Sequence, residues 1–382
     1  MIDNKVILIG YEGGNLLGQL RTMGSLGLKP HVIIVKNGVK PYYITRSKYI
    51  GKINFVDSFE EGLELILKEY DVEANKPFIF TDSDYMISLF DKEYDRLADR
   101  FYFFNAGEQG HLSPYLEKEV LCDLAQRKGF RIPRTELVRI GQLPQNINYP
   151  IITKSEDSFL PGWKHNVFIC NNEQELLDAY KSIEGDRIVL QEYIVKKNEY
   201  ILQGLSINNG QDVFIPIEGS FYRVHPSSYS HFLYFKDYRG DISILESMFK
   251  ELQFNGIFEV EFLVTQDDNL VFLEINFRQT AWNHTFTKMG YCLEKIWMDS
   301  TLKGELVTEN GTRRYNLMSE FGDFTQFVRS GKISLRQWIK DLKRADNFQV
   351  YNSQDKRPFY AYLRHMLFSS IKHKLGIKDK KD

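Results

Sequence analysis

Residues 256–278, Gly256 to Arg278, read G-I-F-E-V-E-F-L-V-T-Q-D-D-N-L-V-F-L-E-I-N-F-R. Two apolar-rich runs flank the polar turn Gln266-Asp267-Asp268-Asn269, the pattern of a β-hairpin. A turn centred on Asp267-Asp268 makes facing residues sum to 535 and sets Glu261 opposite Glu274. A turn centred on Asp268-Asn269 makes the sum 537 and sets Glu261 opposite Asn276. Like charges directly opposite on a sheet are destabilising, and buried carboxylates require a shared proton or a cation. In either register Glu261, Glu274 and Asn276 share one face. Two carboxylates and an amide oxygen are hard ligands, suited to Mg²⁺ rather than zinc. Arg278, two residues on, is placed to grip phosphate or carboxylate oxygens bidentately.

The chain around this hairpin has 382 residues, enough for two or three domains. Its 43% hydrophobic and 26% charged content is that of a soluble globular protein, and a net charge of −2 gives no global attraction to nucleic acid. Cys122, Cys170 and Cys292 form no C-x-x-C pair, which argues against a disulfide framework or zinc site and fits a reducing cytoplasm. The start M-I-D-N-K-V-I-L-I-G enters a strand directly, without a signal-peptide pattern. No apolar run approaches the roughly 20 residues that span a bilayer.

Lys5–Ile9 reads as a buried strand, 15–26 as a helix and His31–Val35 as a second strand, a βαβ opening. A helix over 58–70, a strand over 78–81 and a largely helical 83–100 complete a doubly wound domain, residues 1–112. The loop Gly10-Tyr11-Glu12-Gly13-Gly14 lacks the strict G-x-G-x-x-G spacing, and no ribose-binding acid ends the second strand. Tight packing of helix on strand accounts for its glycines better than a dinucleotide does. An amphipathic helix over 113–135 stops at Gly129 and Pro133. Strands at 148–154 and 187–194 with a helix at 173–182 outline a small α+β subdomain, about 135–195. Strands at 199–206 and 213–220 lead to the hairpin. The second domain runs over 113–330, and 331–382 is a helical extension with a basic tail.

A lysine-bearing helix, then Y-P-I-I-T-K (149–154), Q-E-Y-I (191–194) with Glu199 following, then V-E-F and L-E-I-N-F-R, resembles the ATP-grasp superfamily. The resemblance covers residues 1 to about 300. It implies an ATP-grasp fold, α/β and α+β, behind an N-terminal doubly wound pre-ATP-grasp domain. It implies a ligase that joins a carboxylate to an amine through an acyl phosphate, using ATP with one or two Mg²⁺, or Mn²⁺ in their place. Its substrates would be small molecules, with no nucleic-acid partner. By the same resemblance Lys118 and Lys154 hold ATP phosphates; for each the alternative is a solvated lysine. Gln191, Glu192, Tyr193 and Ile194 form the adenine hinge, and Glu199 binds the ribose. Glu261, Glu274 and Asn276 are the metal ligands, and Arg278 holds the acyl phosphate or substrate carboxylate.

The resemblance departs in two places. The phosphate-covering loop Ser155-Glu-Asp-Ser-Phe-Leu-Pro-Gly-Trp-Lys164 has one glycine, and Lys164 either supplies the missing charge or is a mobile solvated lysine. After Arg278 comes Trp282-Asn283-His284, where small residues are usual, implying a reshaped acceptor pocket. Arg223 is a substrate anchor or a structural ion pair. His225 and His284 are bases for the amine or structural histidines. The C-terminal region resembles the subgroup near D-aspartate ligases and other ligases of cell-envelope or polysaccharide pathways. Phe359, Tyr362, Leu363, Met366, Leu367 and Ile371 form a stripe at helical spacing, and 356–382 holds eight Lys/Arg against two Asp. This segment either lies on an anionic membrane surface or docks on the protein's own core with a solvated tail. A non-catalytic ATP-binding scaffold is the alternative to the ligase. Tight ATP binding without turnover across acids and amines would mark it.

Overall fold

A computed structural model describes residues 3–37, 42–71, 73–155, 166–224, 231–311 and 314–374, without the side chains of 369–374. Lys164 and His225 lie outside the described residues. The chain forms two compact units. The first holds residues 1–121, 201–260 and 275–382; the second holds 122–200 and 261–274.

In the first unit, β1 (Val6–Tyr11), β2 (His31–Val35), β3 (Lys52–Val56) and β4 (Phe78–Thr81) form a parallel sheet ordered β3-β2-β1-β4. β1, β2 and β4 are runs of Val, Ile, Leu and Phe buried almost throughout, as a sheet covered on both faces requires. The edge strand β3 buries only Val56, so its apolar signal is weak in sequence. Gly10 and Gly14 serve packing. A Cβ at Gly10 would run into the Asp82 carboxylate, and one at Gly14 into the Gln349 side chain. Glu12 accepts from the N–H groups of Tyr42, Tyr43 and Ile44 at 2.9–3.0 Å. The glycine loop is thus a packing and capping device.

The second unit carries β5 (Thr135–Arg139), β6 (Ile151–Lys154), β7 (Ile169–Cys170) and β8 (Arg187–Glu192), an antiparallel sheet ordered β5-β8-β6-β7. The helix Glu173–Tyr180 is N-capped by Asn172, and Leu176, Ala179 and Tyr180 are buried with Ile151, Ile188 and Leu190.

β9 (Asn198–Ile207), β10 (Asp212–Phe221), β11 (Phe232–Asp237), β12 (Gly256–Val264), β13 (Leu270–Asn276), β14 (Tyr315–Met318) and β15 (Asn347–Phe348) form a sheet ordered β13-β12-β9-β10-β11-β14-β15. The expected long helices are shorter: 84–92 is separated from 94–97, and 118–127 follows a 3₁₀ turn at 113–116 that carries Pro114. Among the described residues beyond 330 lie two helices, Leu335–Leu342 and Lys356–Lys374, and the short β15. Part of the C-terminal stripe docks within the first unit: the Tyr362 ring meets Tyr43 at 5.3 Å and Phe321 at 4.7 Å. Leu367 and Phe368 remain exposed.

The helix Gly14–Ser25 is tied to the C-terminal segment by Arg21, which is 1% exposed. Its guanidinium donates to the carbonyls of Gln349 (3.0 Å) and Val350 (2.7 Å) and pairs with Asp355 at 3.5 Å. Asp355 also accepts from Ser47 Oγ (2.8 Å) and the Lys48 N–H (3.1 Å). Removing one partner of a buried pair leaves a charge and several carbonyls unsatisfied. Arg21→Ala should therefore lower unfolding free energy by about 3–5 kcal/mol in urea denaturation. A variant within about 0.5 kcal/mol of the parent, the range of ordinary surface substitutions, would contradict this account.

Candidate functional site

The hairpin turn differs from both sequence registers. Thr265 N–H donates to the Asn269 carbonyl at 2.9 Å and Asp268 N–H to the Thr265 carbonyl at 3.1 Å. The loop is thus Gln266–Asp268, with Asp268 in the left-handed region at φ 63°. Facing numbers near the turn sum to 534, and the rings of Phe262 and Phe272 meet accordingly at 5.9 Å. At the far end Asn276 Nδ2 lies 3.5 Å from Glu259 Oε1, a sum of 535. Phe262 and Glu259 point to opposite faces by strand alternation, whereas Phe272 and Asn276 would share a face in a regular strand. One residue must slip between the two ends. Burial locates it: Val271 and Phe272 are both buried, Leu273 and Glu274 both half-buried, and alternation resumes from Ile275 to Arg278. The burial alternation of β13 thus changes phase at Leu273–Glu274, the pattern a β-bulge produces. Glu274 and Asn276 are then in phase along β13, and neither expected turn forms.

In the second unit, Lys154 ends β6 and donates from Nζ to Gln191 Oε1 at 2.6 Å, across the Ile152↔Gln191 register. Gln191 Nε2 donates to Thr135 Oγ1 at 3.0 Å. The Glu192 carboxylate accepts from Arg131 (2.9 Å) and from the Arg134 N–H (3.3 Å). Two hinge amides are engaged inside the unit: Glu192 N–H with the Arg134 carbonyl at 2.8 Å, and Tyr193 N–H with the Pro150 carbonyl at 3.0 Å. Glu199 forms an ion pair with Lys196, both mostly buried, and burial raises the Glu199 pKa against the opposing pull of Lys196. Glu261 and Glu274, half-buried, also belong to this unit.

The first unit holds Lys118, exposed at the start of its helix, and a connected polar cluster. Glu259 is 3% exposed and bonded to Gln203; Thr280 Oγ1 lies 3.1 Å from Gln203 Nε2. Arg278 is bidentate to Asp84 at 2.8 and 2.9 Å and donates to Asn276 Oδ1 at 3.2 Å. Sequence reasoning named Glu261 and passed over Glu259, although strand alternation puts them on one face. It also passed over Asp82 and Asp84, whose only sequence signal is their place just after β4.

Arg223 is a correction. Its guanidinium is bidentate to Asp323 at 3.2 and 3.1 Å and bonded to Asp341 at 3.0 Å, and both carboxylates are fully buried. It is a structural ion pair rather than a substrate anchor. The trio after Arg278 also turns inward. Trp282 precedes the helix Asn283–Met289, Asn283 donates to Glu294 Oε1 at 3.0 Å, and His284 Nε2 lies 3.1 Å from Asn352 Nδ2. Burial, with help from Lys288 and Arg21, pushes the His284 pKa down to about 3. His284 therefore stays neutral at physiological pH and is a poor base for an amine.

No family model matches the chain. N5-carboxyaminoimidazole ribonucleotide synthase of Staphylococcus aureus (strain COL) is 26% identical over 166 residues, 42% of each chain. The alignment thus spans less than half of that curated relative. Solved structures match over a greater length. An L-amino acid ligase from Bacillus licheniformis superposes with TM-score 0.60 at 13% identity, over 83% of this chain and 80% of its own. The N5-carboxyaminoimidazole synthetase of Staphylococcus aureus gives 0.62 at 15%, over 86% and 88%. Biotin carboxylase from Campylobacter jejuni gives 0.61 at 16%, over 82% and 74%.

The chain has the ATP-grasp fold. Within that fold the resemblance drawn from 149–154, 191–194 and 256–278 falls on β6, β8 and the β12–β13 hairpin. Among the described residues no three His, Cys, Asp or Glu side chains cluster as a metal site. No described helix is long and apolar enough to cross a membrane.

Glu294 is fully buried with Oε2 unpartnered, and burial pushes its pKa from 4.5 up to about 7. A raised carboxyl pKa contributes stability that is present below pH 4.5 and lost as pH rises through about 7. The span corresponds to on the order of 3 kcal/mol. Glu294→Gln should match the parent near pH 5 and exceed it near pH 8 in urea denaturation. An equal pH slope in both proteins would refute the assignment.

Proposed function

We propose that this chain is an ATP-dependent ligase that forms an amide bond between a small-molecule carboxylate and an amine. The observation that carries this reading is the order of Glu274 and Asn276 on β13 with Arg278 two residues past its end, and Glu261 on the partner strand β12, within an ATP-grasp fold. Related structures support a nucleotide. One Staphylococcus aureus N5-carboxyaminoimidazole synthetase structure is complexed with ADP. One from Aspergillus clavatus is in complex with ADP and an aminoimidazole ribonucleotide.

In this proposal Lys154 and Lys118 contact ATP phosphates as compact cationic charges. Gln191 orients the Lys154 ammonium. The Glu192 carboxylate is engaged by Arg131, so the hinge would meet adenine through the Ile194 N–H and through backbone carbonyls. Glu199, on releasing Lys196, would accept from ribose hydroxyls. Glu261, Glu274 and Asn276 offer the hard oxygen donors that Mg²⁺ prefers, and Mg²⁺ there would offset charge on the phosphates. Lys164 is proposed as a phosphate contact on its sequence position alone.

A substrate carboxylate oxygen attacks the terminal phosphorus, and ADP leaves with the bond electrons. Arg278, fixed by Asp84 and Asn276, steadies the acyl phosphate. The amine nitrogen then forms the bond to the acyl carbon. The carbon–oxygen bond to phosphate breaks, and phosphate leaves with the electron pair and one amine proton. ADP release should require both an acid and an amine, with mass spectrometry showing the dehydrated conjugate. Lys154→Met and Glu274→Gln should each lower turnover by about 10²-fold or more, the scale of losing one preorganised electrostatic contact. Full ADP release by Glu274→Gln would remove the metal assignment.

A further inference from the structure

The sheet order β3-β2-β1-β4 reverses between β1 and β4. In open α/β sheets, ligands settle outside the carboxyl ends of the strands at such a reversal. Gly10, near the end of β1, and Asp82, the first residue after β4, meet there. The bare Cα of Gly10 is what leaves room for the Asp82 carboxylate. Asp82 Oδ1 is buried and has no hydrogen-bond partner among the described residues.

Arg278 is the neighbouring cation, yet its bonds go elsewhere: to Asp84, to Asn276 Oδ1 and to the Gln279 carbonyl at 3.3 Å. Beside it, Gln279 and Gln19 are at most 1% exposed and joined at 3.1 Å, which leaves Gln19 Oε1 and Gln279 Nε2 unpartnered. A buried carboxylate oxygen without a partner needs a proton or a cation. Burial pushes the Asp82 pKa up to about 7, with Arg278 and the backbone N–H groups of Asp82 and Tyr11 opposing. A carboxylate placed against Asp82 Oδ1 itself would be repelled by it. An ammonium group supplies both the charge and the N–H donors.

We propose that Asp82 receives the ammonium group of a primary-amine substrate, beside the Arg278 that would hold the activated acid. The assignment rests on the ligase reading for its role and on the unpartnered Oδ1 for its place. It makes Asp82 a substrate-binding residue that selects amines over neutral or anionic acceptors.

Two measurements on the full chain test it. Saturation-transfer NMR without ATP uses ethanolamine and glycinamide as probes, with ethylene glycol and acetate as neutral and anionic controls. The amines should bind the parent protein and bind Asp82→Asn at least about tenfold more weakly, the scale of one charge-assisted hydrogen bond. Equal amine binding by parent and variant, or none by the parent, overturns the proposal. Hydroxylamine trapping with ATP and an acid panel separately reads acid activation, which Asp82→Asn should lower by a smaller factor than it lowers amine binding. If the parent traps no acid, the ligase reading fails while the binding measurement still judges Asp82. A parallel loss of trapping and amine binding in the variant overturns the proposal in favour of a structural role. Circular dichroism and melting confirm that the variant is folded.

Discussion

The first unit is assembled from three stretches of chain, and the buried Arg21 guanidinium is what holds the outermost two together. It lies on the first helix, yet its hydrogen bonds end on residues 349–355, more than 320 positions away. Every acceptor it reaches is inside the protein, so the contact is all or nothing. Glu320 reinforces the same segment by accepting from the N–H groups of Gln349, Val350 and Tyr351. Because this seam is closed, β1, β4 and the residues after β13 keep fixed places within one unit.

Around that frame the polar interior falls into two kinds. Arg223 with Asp323 and Asp341, and Glu259 with Gln203, are internally satisfied and act as scaffold, while Asp84 fixes the Arg278 guanidinium. Asp82 and Glu294 each keep a buried oxygen without a partner among the described residues. Unpaired buried oxygens are costly, which makes their persistence informative. The satisfied groups fix geometry, while Asp82 lies where an open α/β sheet takes its ligands.

Much of this was legible in the sequence. The buried runs of β1, β2 and β4 carry their own signal, as do the helices capped by Ser58 and Asn172. The chemistry-bearing residues of the hairpin stand within 20 positions of one another, so local spacing suffices to group them. What could not be read depends on distant chain. Arg223 looks like a free anchor until Asp323 and Asp341 are brought to it from 100 and 118 residues away. Edge strands such as β3 and β5 bury too little to show alternation. The hairpin register depended on Asp268 adopting a left-handed conformation, which favours Gly and Asn more than Asp.

The phase change in burial at Leu273–Glu274 divides β13 into two stretches. The turn end answers to an aromatic cluster, with Phe130 stacked at 5.7 Å on Phe272 and 5.4 Å from Phe262. The other end answers to Glu259 and its amide neighbours. Turn length therefore carries no information about which side chains share a face beyond the slip. Comparison of this chain with distant relatives should be anchored on the Glu-Ile-Asn-Phe-Arg run and read toward the turn. Counting outward from the turn would assign Glu274 to the wrong face by one residue.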